Sequence, residues 1–168
     1  MSGIEKPTIS AAEAVASIPD GACVAVGGSG SGHAIPDALL AALGERFRQP
    51  RGLTLVHPFG VGDQARRGLQ HVAHAGLFRR VVGGHWSMAP AMAELARAEA
   101  FEAYCLPAGV IVQLFHCAAA GSPGWFTHVG LHTFVDPRHA GGRINASARE
   151  PVVELAERGG REWLFYPT

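Results

Sequence analysis

Glycines that follow short apolar runs, and histidines that end such runs, are the residues of this chain best placed for chemistry. In CVAVGGSGSGHAIP, Gly27, Gly28, Gly30 and Gly32 put four glycines within six residues. Such a loop between a strand and a helix can turn tightly and leaves its main-chain N–H groups open to an anion. His57 closes LTLVH ahead of a second glycine loop, PFGVGD. His85 and Trp86 follow VVGG, and Thr133 follows THVGL. Each of these four ends or follows an apolar run, so His57, His85, Trp86 and Thr133 are expected to approach one cleft with the glycine loop.

Familiar chemistries fit the loop poorly. A phosphate P-loop needs G-x-x-x-x-G-K-[ST]; Gly27 and Gly32 have the spacing, but His33 and Ala34 stand where Lys and a hydroxyl belong. A dinucleotide fingerprint beginning at Gly28 fails because position 33 is His, and the second strand ends in His57 rather than an acid. Neither Ser29 nor Ser31 has the G-x-S-x-G surroundings of a nucleophile elbow. The bland alternative is that the glycines only permit a tight turn. The chain's nine histidines suggest metal, but His71 and His74 lack an acidic companion, and His128 and His132 fall in a strand and its end. No metal site is expected.

The elements that must position these residues follow from periodicity. Ser10 to Glu13 reads as a capping box opening a short helix. Strands are expected over 22–26, 53–57, 78–84, 101–106 and 127–131. Helices are expected from Pro36 to about Arg48, over 65–75, 91–100 and 110–120. Glu157 reads as following a helical stretch, and EWLFYPT as a final strand. Strands alternating with helices imply an open, mainly parallel sheet flanked by helices, the α/β class, in which ligands meet the carboxyl ends of the strands.

Bulk properties narrow the partners. A chain of 168 residues with 48% hydrophobic and 17% charged residues suits a single α/β domain over 1–168. Lys plus Arg and Asp plus Glu both number 14, and the basic residues are scattered, so nucleic acid is not an expected partner. Cys23, Cys105 and Cys117 are widely spaced in apolar surroundings and read as reduced, mostly buried thiols. With no membrane-length segment and no signal-like N-terminus, a cytoplasmic location is expected.

The blocks IPDGACVAVGGSGSGHAIP, LTLVHPFGVGD, RRVVGGHWSMAP, YCLPAGV, THVGLHTFVDP and REWLFYP together resemble the N-terminal part of the family I coenzyme A transferases. The resemblance is to the acyl-CoA:acetate/3-ketoacid (propionate) branch, and it runs from the capping box almost to the last residue. It implies the α-type portion of an enzyme that moves CoA between an acyl-CoA and a carboxylic acid through a glutamyl-CoA intermediate. Gly27, Gly28, Ser29 and Gly30 would then form an oxyanion or acyl-CoA loop. His57, His85, Trp86 and Thr133 would select the acyl group. Coenzyme A would be a substrate, with no cofactor required.

The chain departs from the family pattern at several places, and the proline after the glycine loop comes later than the signature expects. Ser29 stands where Phe is usual, Cys105 and Ala108 where relatives carry Asn and Gln, and His132 where a glycine is familiar. None of the ten glutamates follows an apolar strand directly before glycine, as the family nucleophile does. The fold therefore reads as truncated at the C-terminus, and the partner it implies is a C-terminal (β-type) half or subunit carrying the nucleophile, within an oligomer. The other reading kept open is a non-catalytic ligand-binding or regulatory α/β module.

Overall fold

The structure is a computed structural model that describes residues 6–28, 33–46 and 48–168. Helix α1, Ala11–Ala16, opens on the expected capping box: the Ser10 hydroxyl accepts the Glu13 N–H, and the Glu13 carboxylate accepts the Ser10 N–H (2.8 Å). Strand β1, Cys23–Ala25, leads to the glycine loop and then to α2, Asp37–Glu45. β2, Leu53–His57, and β3, Phe78–Gly83, follow; then come α3, Pro90–Arg97, β4, Glu102–Cys105, and α4, Ala108–Ala119. β1 to β4 form a parallel sheet in chain order.

Side chains alternate across these strands and so feed two cores. Leu53, Leu55, Val81 and Ala103 face one side, where they join Val15 of α1, Leu40 and Leu43 of α2 and Met92 of α3. Val82 and Tyr104 face the other side, with Val110 and Ile111 of α4. Leu164 and Tyr166 complete that second core from a separate sheet.

The separate sheet is the main departure from the sequence reading. β5, Gly124–Thr127, β6, Glu154–Arg158, and β7, Arg161–Pro167, pair antiparallel in the order β5-β7-β6. Glu157 therefore lies in a strand and does not follow a helix. Gly159 and Gly160, with φ of 60° and 70°, make the two-residue turn joining β6 to β7. Positive φ at both central positions matches the twist of a hairpin, and glycine adopts it without a Cβ penalty.

Two further expectations are corrected. The segment expected as a helix over 65–75 forms only a 3₁₀ turn, Leu69–Val72, because Gly68, with φ of 70°, turns the chain and the Leu69 N–H donates to Val61 O (3.0 Å) instead of to a preceding helical turn. The strand expected over 127–131 lies earlier, ending at Thr127, and residues 128–142 form successive turns. Among the described residues no helix is long and apolar enough to cross a membrane.

Candidate active site

The parallel register aligns the strand ends. Ala25 pairs with Val56, His57 with Gly83, and Gly83 with Cys105. Gly27–Gly28, His57, Gly83–Gly84 and Cys105 thus form one row along the carboxyl edge of the sheet, where an α/β fold takes its ligand. Gly27 is exposed and nothing lies within 4 Å of where its Cβ would be, so its backbone is open to an approaching group. Gly28 has φ of 124°, and a Cβ there would sit 2.6 Å from the Ala34 carbonyl oxygen. Ser29 and Gly30 lie outside the described residues.

His57 is the most enclosed polar group of the row, 1% exposed. Its Nδ1 lies 2.9 Å from the Phe59 carbonyl oxygen, which accepts an N–H and so fixes the proton on Nδ1. Burial holds the imidazole below its ordinary pKa, against the bond to Phe59, and His85 pushes in the same direction as burial. Nε2 is then an unprotonated acceptor, and it has no hydrogen-bond partner. Trp86 packs edge-on to His57, ring centroids 5.9 Å apart, and stacks on Phe101 at 6.3 Å; its own Nε1 is also buried without a partner.

Gly83 makes this arrangement possible. A Cβ on it would lie 2.5 Å from His57 Nε2 and 3.0 Å from Trp86 Nε1. Gly84 is as constrained: a Cβ would press on the Pro58 carbonyl and come within 3.1 Å of the Ala108 Cα. His85 is exposed beside the row, its Nδ1 accepting the Ser87 N–H at 3.3 Å.

Thr133 is held in the neighbouring 128–142 loop, its hydroxyl donating to the Gly130 carbonyl (2.8 Å). That loop reaches the row through Gly142, whose N–H donates to Phe134 O (3.2 Å) and whose carbonyl accepts the Cys105 N–H (2.7 Å). His57, His85 and Trp86 are thus brought together, while Thr133 is one loop away.

Asp136 organises that loop. Fully buried, its carboxylate accepts the His132 N–H (2.9 Å), the Arg138 N–H (3.0 Å), and Arg138 Nη2 (2.7 Å). Arg138 holds the carboxyl well below the usual range, and also bonds Glu162 at 2.8 Å. The Tyr166 hydroxyl donates to Val129 O (2.9 Å), and burial pushes its pKa up to about 12. Sequence reasoning placed none of Asp136, Arg138 or Tyr166, although the FVDPR run, with Asp followed by Pro, signals a turn built on the aspartate.

The thiols differ from expectation: Cys117 is buried, Cys105 half-buried, and Cys23 exposed because β1 is an edge strand. Most of the described glutamates hold other partners or lie in the other sheet. Glu102 begins β4 and pairs with Arg80, which also holds Glu150; Glu99 accepts the N–H groups of Ala146 and Ser147; Glu162 holds Arg138. Glu154 and Glu157 lie in β6, in the other sheet.

Residues 8–168 match the Coenzyme A transferase family model. Among curated proteins, the chain is 40% identical over 163 residues to acetate CoA-transferase YdiF of Escherichia coli K12, covering 95% of this chain and 31% of that protein. It is 42% identical over 161 residues to caffeate CoA-transferase of Acetobacterium woodii, covering 94% of this chain and 30% of that one. The crystal structure of E. coli O157:H7 YdiF as a thioester complex with CoA superposes with a TM-score of 0.91 at 39% identity, over 96% of this chain and 32% of that one. Glutaconate CoA-transferase of Acidaminococcus fermentans, at 13% identity and a TM-score of 0.65 over 95% of this chain and 52% of that one, shares the fold. The chain spans about a third of the length of the curated relatives it matches. On the matched span and the fold together, this chain belongs to the coenzyme A transferase family.

Proposed function

We propose that this chain is the N-terminal, α-type part of a cytoplasmic CoA-transferase that moves CoA from an acyl-CoA to a carboxylic acid. The observation that carries this is the row of strand ends, where Gly27–Gly28, His57, Gly83–Gly84 and Cys105 line one edge of the sheet. A glutamate from a C-terminal (β-type) part attacks the thioester carbonyl and CoA leaves as thiolate. The thiolate then attacks the glutamyl carbonyl of the resulting anhydride, releasing the acyl group as carboxylate and leaving glutamyl-CoA; the acceptor reverses the sequence. Each attack develops an oxyanion, which main-chain N–H groups at Gly27 and Gly28 are suited to stabilise. His57, His85, Trp86 and Thr133 shape the acyl side of the cleft, and the working enzyme is an oligomer of both parts.

The test uses acetyl-CoA and hydroxylamine, which cleaves an enzyme–CoA thioester. The chain alone should form no adduct, since none of its ten glutamates follows an apolar strand directly before glycine. With a family C-terminal part added, an adduct should appear on that part, together with CoA exchange into acetate. An adduct on one of this chain's glutamates would show that the nucleophile is misplaced in this reading.

A further inference from the structure

Residues 57–62, the end of β2 and the loop after it, are enclosed except at one position. His57, Pro58, Gly60, Val61 and Gly62 are all buried, whereas Phe59 is 44% exposed. The backbone on both sides of it is fixed. The Phe59 carbonyl accepts the His57 Nδ1–H at 2.9 Å, and the Val61 carbonyl accepts the Leu69 N–H at 3.0 Å. Gly60 and Gly62 pack so closely on Met88 that a Cβ on either would collide with it. The Met88 carbonyl in turn accepts the Gln64 N–H at 3.0 Å. A phenyl ring on so firm a base has only its own two torsions left to fix when something packs on it.

Its place in the fold sets this ring apart from other exposed aromatics such as Trp125 and Phe126, which lie in the antiparallel sheet. β2 runs between β1 and β3, so a residue two positions past its end stands at the carboxyl edge between Gly27–Gly28 and Gly83–Gly84. Charge is absent from the loop as far as Asp63. That carboxylate is occupied by the N–H groups of Ala65, Arg66 and Arg67, at 2.9, 2.8 and 3.0 Å. A second carboxylate on an acyl group would find no cation in residues 57–62. An apolar acyl group would instead cover a ring that now faces water.

We propose that Phe59 is a specificity-determining residue for the transfer reaction: its ring packs on the acyl group of the acyl-CoA and selects apolar groups larger than acetyl, aromatic ones best. Acetyl offers the ring a single methyl, whereas an aromatic group offers a flat face that pairs offset or edge-on. This rests on reading the chain as part of a CoA-transferase.

The test co-expresses the full chain with the part of E. coli YdiF that the match leaves out, and measures CoA exchange from acetyl-, butyryl- and benzoyl-CoA. kcat/KM should rise along that series, and Phe59→Ala should lower the benzoyl-to-acetyl ratio about tenfold or more. Phe59→Tyr, which keeps the ring, should restore the ratio. Fluorine NMR of protein carrying 4-fluorophenylalanine gives a second readout, made on the complex and on the chain alone. The Phe59 signal, identified by its absence from Phe59→Ala, should move with benzoyl-CoA and much less with acetyl-CoA. A ratio unchanged in Phe59→Ala overturns the inference, and so does a ratio that rises, which would make the ring a barrier. Weaker association of the two parts in Phe59→Ala, with the ratio unmoved, also overturns it and assigns the ring to their interface. Turnover with an unmoved fluorine signal rejects this inference alone, a moved signal without turnover rejects only the proposed activity, and the absence of both rejects the two together.

Discussion

The His57 imidazole occupies the space above Gly83 that a side chain there would need, with Nε2 2.5 Å from the position of a Cβ. Gly83→Ala should therefore displace His57 and Trp86 and destabilise the fold by about 1–3 kcal/mol. Urea unfolding measures this. The double variant Gly83→Ala with His57→Ala should lose less than the sum of the two single variants, because the clash is gone. Strict additivity would mean that the two residues do not share this space.

His57 also sets a pH response. Its folded pKa is lowered by burial, so the unfolded chain binds the extra proton. The stability contributed by the neutral ring is present above the unfolded pKa, about 6.5, and is lost as pH falls below it toward the folded pKa. The melting temperature should fall between pH 7.5 and 5.5, at no more than about 1.4 kcal/mol per pH unit from this one group. His57→Phe should flatten the profile over that window relative to the parent chain.

His132 adopts φ of 61°, a conformation that favours glycine. This agrees with the glycine that the family pattern carries there. His132→Gly should leave stability unchanged or raise it by up to about 1 kcal/mol, whereas His132→Val should lower it by about 1–2 kcal/mol. Thermal melting distinguishes them, and both keep the N–H that Asp136 accepts.

The thiols should react in order of exposure. Native-state labelling with N-ethylmaleimide, followed by peptide mass analysis, should modify Cys23 first, Cys105 more slowly, and Cys117 only on unfolding. Burial raises the pKa of both Cys23 and Cys105, so labelling should quicken above neutral pH. Early labelling of Cys117 would place it outside the second core.

The glycine loop needs a milder probe than a bulky substitution. Gly28→Val would strain the backbone against Ala34 as well as crowd the N–H groups, so a lost rate could not be assigned to either effect. Gly27→Ala meets nothing within 4 Å and should leave the melting temperature within about 2 °C, while any fall in CoA exchange by the completed enzyme reports on the loop.

The parallel half of the fold was legible because its signals are local. LTLVH is β2 residue for residue, and the Ser10–Glu13 box stands where the spacing puts it. The antiparallel sheet was hidden because ELAER has helix-forming residues, and only pairing with β7 makes it a strand. The Gly159-Gly160 turn was a readable hairpin signal that those helix-forming residues masked. At the site, His57, His85 and Trp86 could be placed from the ends of apolar runs. The constraint at Gly83 depends on register between strands and has no counterpart in a single segment.

The closed edge at β4 limits how the protein can assemble. Residues 142–145 stand where another molecule's strand would otherwise bind, so among the described residues β1 is the one open edge of the parallel sheet. Head-to-tail stacking requires two complementary faces on every copy, and edge-to-edge growth of this sheet has only one. Edge-to-edge growth through this sheet alone therefore stops at a pair.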